Sequence, residues 1–190
     1  GENFDRFVDM IREAHPDVPL IFMQTERRES RNFDTWREDF EAEKQAAAVV
    51  SIYGGTAEEY SVVPAQQWSA LFGAGEQLSR VTKVIKKNDG SIAFEVVVKG
   101  YKEGYDLIVG VKDSAVAGVA VVSTGEETKD LGTKTADPEY LDRFKGISDT
   151  AVIVRSEPKN DGEIQAVTGA TYSSKGVAKG LSAVWAVRSS

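Results

Sequence analysis

The chain reads as an α+β protein, an antiparallel twisted sheet flanked by helices, with a helix–strand appendage at its N-terminus. Three observations carry that reading. Between residues 80 and 124, apolar residues recur with period two in Val- and Ile-rich runs separated by turn signals. On either side of that block they recur at the spacing of amphipathic helices. The third is size and balance: 190 residues, 41% of them hydrophobic and 28% charged, suffice for one substantial core and exclude disorder over most of the length.

The elements follow in order. Phe4, Phe7, Val8 and Ile11 sit at i, i+3, i+4 and i+7, which predicts a helix over 4–14; Pro16 and Pro19 break it. Residues 20–23 read as a short buried strand and 24–32 as a polar loop. Helix formers fill the stretch from Thr35 to about Tyr53, and the pair Gly54 and Gly55 stops it. Four strands are predicted over 80–87, 91–101, 105–113 and 116–124, with Asn88, Asp89 and Gly90 as the strongest hairpin signal. A short helix is predicted over 137–146, with Asp137 at the N-cap, Pro138 at the first helical position and Gly146 as the stop. A last strand over 150–156 leads through a loop into a helix over 175–187, which places Val177, Leu181, Val184 and Trp185 on one face.

Composition removes several function classes. A net charge of −7 and a pI near 4.9 argue against a nucleic-acid groove, whose affinity rests on clustered Lys and Arg. There is no cysteine, and His15 is the only histidine, so thiolate chemistry, disulfides, His-based triads and His-rich metal clusters are excluded. No catalytic residue and no metal ligand is assigned. No apolar run approaches the roughly 20 residues of a membrane span. Gly1 reads as the remnant of a cleaved tag, and any native membrane anchor is expected to have been removed.

One segment concentrates chemistry. In "VTGATYSSKGVAKGL", residues 167–181, Thr168, Thr171, Ser173 and Ser174 crowd just ahead of the last helix. The plain reading is a polar turn with a cap, since Ser and Thr favour such positions for local reasons. The sharper one is an anion site. A helix N-terminus presents unpaired N–H groups and about half a positive charge. Gly169 and Ala170 let the backbone approach a ligand, while Ser173 or Ser174 caps the helix.

"TGATYSS", residues 168–174, resembles the Ser/Thr-Gly-Ala-Thr-x-Ser/Thr-Ser motif of the FMN-binding domain family. That family includes the G subunit of the Rnf electron-transport complex and the C subunit of the sodium-pumping NADH:quinone oxidoreductase. "GYKEGYDLIVGVKDSAVAGVAVVSTGEETKDLGTK" is similar to the family's glycine-bounded strand pair and the Glu-Thr-x-x-Leu-Gly loop after it, here Glu127, Thr128, Leu131 and Gly132. "FKG" at 144–146 also falls at the expected place. The likeness runs from about residue 49 to the C-terminus, so residues 49–190 read as an FMN-binding domain and 1–48 as the appendage.

The resemblance implies an extracytoplasmic flavoprotein electron-transfer domain. FMN would be esterified through its phosphate to Thr171 by a separate flavin transferase, with Thr168, Gly169, Ala170, Ser173, Ser174, Glu127, Thr128, Leu131 and Gly132 around it. Material made without the transferase would be empty. It implies redox partner proteins in a membrane electron-transport complex, no nucleic acid, and a place on the outer face of the cytoplasmic membrane. Leu131 is an apolar candidate for contact with the flavin ring. Tyr172 either flanks the ring or is an ordinary exposed turn tyrosine. Lys134 is near enough in sequence to reach the phosphate, although a solvated Lys is the default, and Trp185 reads as core. Glu127 would hydrogen-bond the flavin or a backbone N–H. Two departures from the family pattern stand out: Lys129 and Asp130 replace an expected Pro and Gly, and Gln165 replaces an acidic residue often found six positions before the modified Thr.

Residues 1–35 resemble an interior helix–strand piece of the SGNH hydrolase family. Neither its nucleophile block nor its Asp-x-x-His block is present, so no catalytic residue carries over. The alternative function is accordingly a hydrolase-related or interaction domain without flavin. A flavin reductase would need a nicotinamide site, and no Gly-x-Gly-x-x-Gly follows a strand.

Overall fold

The computed structural model describes residues 33–68 and 80–188, with side chains over 42–68 and 80–186. The helix, strand and loop predicted within 1–32 lie outside the described residues. Helix α1 (Phe33–Tyr53) starts two residues ahead of the predicted Thr35 and is continuous through residue 48. Its last turn closes where the Gly54 amide donates to the Val50 carbonyl at 2.7 Å.

A 3-10 turn (Ala57–Glu59) leads into β1 (Tyr60–Val63), and a single turn of helix, α2 (Ala65–Trp68), follows. The block of period-two runs folds into β2 (Val81–Lys87), β3 (Ile92–Val98), β4 (Tyr105–Lys112) and β5 (Ala115–Ser123). Strand order β1-β2-β3-β4-β5, with every neighbour antiparallel, makes this a meander. The Asn88-Asp89-Gly90 signal closes the β2–β3 hairpin, with the Lys87 amide donating to the Ser91 carbonyl at 2.9 Å. The β4–β5 turn has no glycine. Asp113 and Ser114 both adopt left-handed φ, +49° and +63°, as a primed turn requires.

Beyond the sheet lie a 3-10 turn (Gly132–Ala136), α3 (Pro138–Leu141) and its 3-10 continuation (Asp142–Phe144). Asp137 holds the N-cap position and Pro138 opens the helix as predicted. The strand predicted over 150–156 shortens to β6 (Val152–Val154), and it does not join the meander. It pairs in parallel with β7 (Glu163–Gln165), which sequence periodicity did not indicate. The final helix, α4 (Thr171–Arg188), begins four residues before the predicted start at 175.

Alternation along the strands sends side chains to two cores. On one face Val96, Val98, Leu107 and Val109 pack with Val177, Leu181 and Val184 of α4 and with Tyr140, Leu141 and Phe144. On the other, Ala93, Ile108, Ala120 and Val122 meet Ala48 and Val49 of α1. A fully buried Val, Leu or Phe contributes about 1.5–3 kcal/mol, so both cores are substantial. Helix α4 lies unusually close to the sheet. A Cβ on Gly176 would sit 2.9 Å from the Gly100 Cα, and one on Gly180 would sit 2.8 Å from Leu107 Cδ1. That approach brings the first turn of α4 to the end of β3. Among the described residues no helix is long and apolar enough to cross a membrane.

Candidate functional site

The hydroxyl-rich segment forms a tight turn that opens α4. Gly169 takes φ +79°, a left-handed conformation that suits glycine, and the Ala170 amide donates to the Val167 carbonyl at 2.9 Å. Ala170 is the N-cap residue, because its carbonyl accepts the first helical bond, from Ser174 N–H at 2.9 Å. The capping role expected of Ser173 or Ser174 is therefore overturned. Starting the helix at Thr171 moves both serines inside the first turn, where their hydroxyls meet tertiary partners instead. Ser173 Oγ donates to Glu127 Oε2 at 2.7 Å, and Ser174 Oγ accepts the Val167 amide at 3.1 Å. Both serines are buried.

The amides of Thr171, Tyr172 and Ser173 have no intrahelical acceptor, by the geometry of any helix start. Among the described residues no other acceptor meets them. They form a set of donors at the positive end of an 18-residue helix. Thr171 is partly exposed at the first helical position.

The second loop comes to the same place. The Thr128 carbonyl accepts the amides of Leu131 and Thr133 at 3.2 and 3.3 Å, and Asp130 N–H donates to Thr133 Oγ1 at 3.0 Å. Asp130 has φ +61°. The position at which the family pattern has Gly is thus one that takes the left-handed conformation. Aspartate is among the few other residues that tolerate it. The departure at Asp130 leaves the turn hydrogen-bonded.

Between the two loops lies a cleft of about 190 Å³, lined by Tyr101, Glu127, Thr128, Leu131, Gly132, Gly169, Ala170, Tyr172 and Ser173. Leu131 touches the turn closely, since a Cβ on Gly169 would sit 3.2 Å from its Cδ2. Three large side chains at this cleft are exposed, Leu131 by 45%, Tyr101 by 57% and Tyr172 by 66%. The Tyr101 and Tyr172 rings lie 6.4 Å apart, centroid to centroid, tilted by 48°.

Other expected residues go elsewhere. Thr168 and Lys134 line a separate hollow of about 330 Å³ with Gln165, Arg143 and Tyr140, so the structure does not bring Lys134 to the cleft. Trp185 is in the core, as expected. A larger groove of about 470 Å³ runs between α1 and β5, away from both motif loops.

Sequence reasoning missed Tyr101, Tyr105 and Thr135. Tyr105 and Thr135 are fully buried, with hydroxyls 2.7 Å apart, and Thr135 Oγ1 donates to the Gly132 carbonyl at 2.6 Å. This chain of hydroxyls ties strand β4 to the floor of the cleft. Burial holds the Tyr105 phenol protonated well above its ordinary range. For Tyr101 a signal existed, since it follows the glycine that bounds the strand pair.

Residues 100–186 match the FMN-binding domain family. The chain is 35% identical over 99 residues to the G subunit of a proton-translocating ferredoxin:NAD(+) oxidoreductase complex from Clostridium ljungdahlii, covering 50% of this chain and 53% of the relative. It is 29% identical over 136 residues to the G subunit of the Na(+)-translocating counterpart from Acetobacterium woodii, covering 66% and 65%. The chain thus spans about half to just under two thirds of these relatives. In fold it is similar to the C subunit of the Na(+)-translocating NADH-quinone reductase from Parabacteroides distasonis, with a TM-score of 0.54 at 17% identity, over 85% of this chain and 99% of that one. The likeness to an FMN-binding domain thus lies in residues 100–186.

Proposed function

We propose that this FMN-binding domain carries its flavin as a phosphoester on Thr171 and works as an electron relay on the outer face of the cytoplasmic membrane. The observation that carries the reading is the convergence of the two motif loops on one cleft. The open amides of Thr171, Tyr172 and Ser173 stand beside the hydroxyl that would be esterified. They would stabilise the phosphate charge that remains after one oxygen is esterified, without need of a lysine. Tyr101, Tyr172 and Leu131 supply flat and apolar surface for an isoalloxazine ring.

The size of the cleft bears on the role. Sites that enclose a ligand usually measure about 300–1,000 Å³, and this one measures about 190 Å³. Bound FMN would be partly enclosed and would keep one side open, as an exchange of electrons with partner proteins requires. FMN supplies the redox chemistry, and the protein supplies position and electrostatics. The proposed partners are a flavin transferase and redox proteins of a membrane complex. Gln165, where an acidic residue is common, ends β7 and lines the hollow on the Thr168 side.

Co-expression with a flavin transferase tests this. The intact mass should rise by that of FMN less one water, and the protein should stay yellow after denaturation. Thr171→Ala should abolish both, and Thr171→Ser should retain the hydroxyl chemistry with a freer side chain. Covalent flavin on Thr171→Ala would overturn the site. An unmodified wild type alongside a yellow Gln165→Asp would place the failure in transferase recognition.

A further inference from the structure

We propose that Glu127 does not bind flavin but is the positioning residue that clasps the walls of the cleft together. The proposal rests on the flavin reading above. The Glu127 side chain is buried, 8% exposed, in the wall of the cleft. Its Oε1 accepts the amides of Tyr101 at 2.7 Å and Lys102 at 3.0 Å, and its Oε2 accepts the Ser173 hydroxyl at 2.7 Å. Those three bonds join the β3–β4 connection, the first turn of α4 and the Glu127 loop itself, which are the segments that line the cleft. Three of about four acceptor positions on the carboxyl group are thereby used.

Two glycines are shaped around this group. A Cβ on Gly100 would overlap Oε1, and one on Gly132 would overlap Oε2. No side chain fits between either backbone and the carboxyl oxygens. The glycines and the glutamate therefore form one unit, in which the length of the Glu side chain sets the separation of Tyr101 from the Thr171 turn. Tyr101 and Tyr172 owe their ring spacing to that separation.

The test uses the full chain co-expressed with a flavin transferase. Flavin per polypeptide is followed by intact mass over time, with the emission of bound flavin and thermal unfolding measured in parallel. Glu127→Gln keeps one oxygen for the two amides, and its NH2 group donates to Ser173 Oγ, so it should behave as wild type. Glu127→Asp is one methylene too short to span both sides. It should slow flavin incorporation on the order of tenfold, as should Glu127→Ala, through misplacement of the acceptor turn. Both should also raise flavin emission as the aromatic rim loosens.

Wild-type incorporation and emission in Glu127→Asp and Glu127→Ala would overturn the proposal. So would failure of Glu127→Gln to the same degree as Glu127→Ala, because the clasp rests on hydrogen bonds that Gln also spans, with the Ser173 bond reversed in direction, and not on the charge. Should Glu127→Ala fail to fold, Ser173→Ala removes one of the three bonds and should raise emission to a smaller degree; unchanged emission would count against the clasp. A wild type that takes no flavin, with Gln165→Asp equally empty, refutes the covalent-flavin reading alone. The clasp is then judged by unfolding: Gly100→Ala should lower the melting temperature in the wild type and lose most of that effect in Glu127→Ala. Additive effects of the two substitutions would overturn it.

Discussion

Among the described residues each face of the sheet engages one buried glutamate, and the two are held by different means. On the α1 side, Glu95 is 3% exposed and takes hydrogen bonds from Gln45 Nε2 and from Thr82 Oγ1, the latter at 2.8 Å; Lys83 Nζ lies 3.4 Å away and donates to Gln45 Oε1 at 2.7 Å. On the α4 side, Glu127 takes two backbone amides and a hydroxyl. The Glu95 group joins side chains of α1 to side chains of β2 and β3, so it secures a helix against a sheet. The Glu127 group grips main chain, so it sets the path of loops. Side-chain networks tolerate small shifts, whereas a carboxyl group bonded to successive amides dictates backbone position. The more tightly positioned side of the molecule is the one that carries the cleft.

Substitutions can break or sharpen that contrast. The largest effect is expected from Leu181→Ala, which empties a fully buried site under α4 and should destabilise by about 2–5 kcal/mol. Denaturant titration reads it. Val49→Ala, the counterpart on the α1 face, should cost nearer ~2 kcal/mol. An equal or larger loss at Val49 would reverse the ranking of the two cores.

Next comes Glu95→Ala, which leaves Gln45, Thr82 and Lys83 without their shared acceptor. It should destabilise by roughly 2–3 kcal/mol while the flavin content per folded molecule stays at the wild-type level. Flavin loss at unchanged stability would show that the α1 face shapes the cleft after all.

A smaller effect separates the faces by pH. Burial raises the pKa of Tyr53, whose hydroxyl donates to the Ile92 and Val111 carbonyls at 2.7 and 3.0 Å, and of Tyr105 beside the cleft. A raised folded-state pKa means that the folded protein holds the proton more tightly than the unfolded chain. The stabilisation is full below the unfolded value of about 10 and is lost as pH rises through the folded value. Tyr53→Phe and Tyr105→Phe should each lose about 1 kcal/mol near neutrality. Each should also flatten the decline in stability above about pH 10. Unfolding curves on both sides of that pH check the slope, and a wild-type slope in both variants would remove these tyrosines as its cause.

The smallest change expected is a gain. Asp130→Gly relieves a left-handed residue in the cleft loop and should stabilise by less than about 1 kcal/mol without altering flavin incorporation. A net loss would mean that the Asp130 side chain holds the turn in a way its backbone does not reveal.

Much was legible in advance. Strands β2 to β5 announce themselves because one-sided burial forces alternation and because Asn88-Asp89-Gly90 closes a hairpin almost unaided. The Thr168–Ser174 segment and the Glu127–Gly132 loop were visible as residue patterns, and so was the amphipathic stripe of α4. Strands β1 and β7 span only four and three residues, too few for a period to show, while β6 keeps three residues of the strand predicted over 150–156.

What local sequence could not decide is which way each hydroxyl turns. A serine beside a helix start can cap it, face water or bond across the fold, with little local energy between the choices. The tertiary structure selects: α4 settles onto Gly100 through Gly176, its first turn meets the Glu127 loop, and Ser173 faces a buried carboxyl group while Thr168 faces the opposite hollow. Residue types and their order determined that loops resembling those of the FMN-binding family exist in this chain. Close packing of helix on sheet decided which of its atoms line a cleft, because only there does an unpaired buried hydroxyl become costly enough to fix a direction.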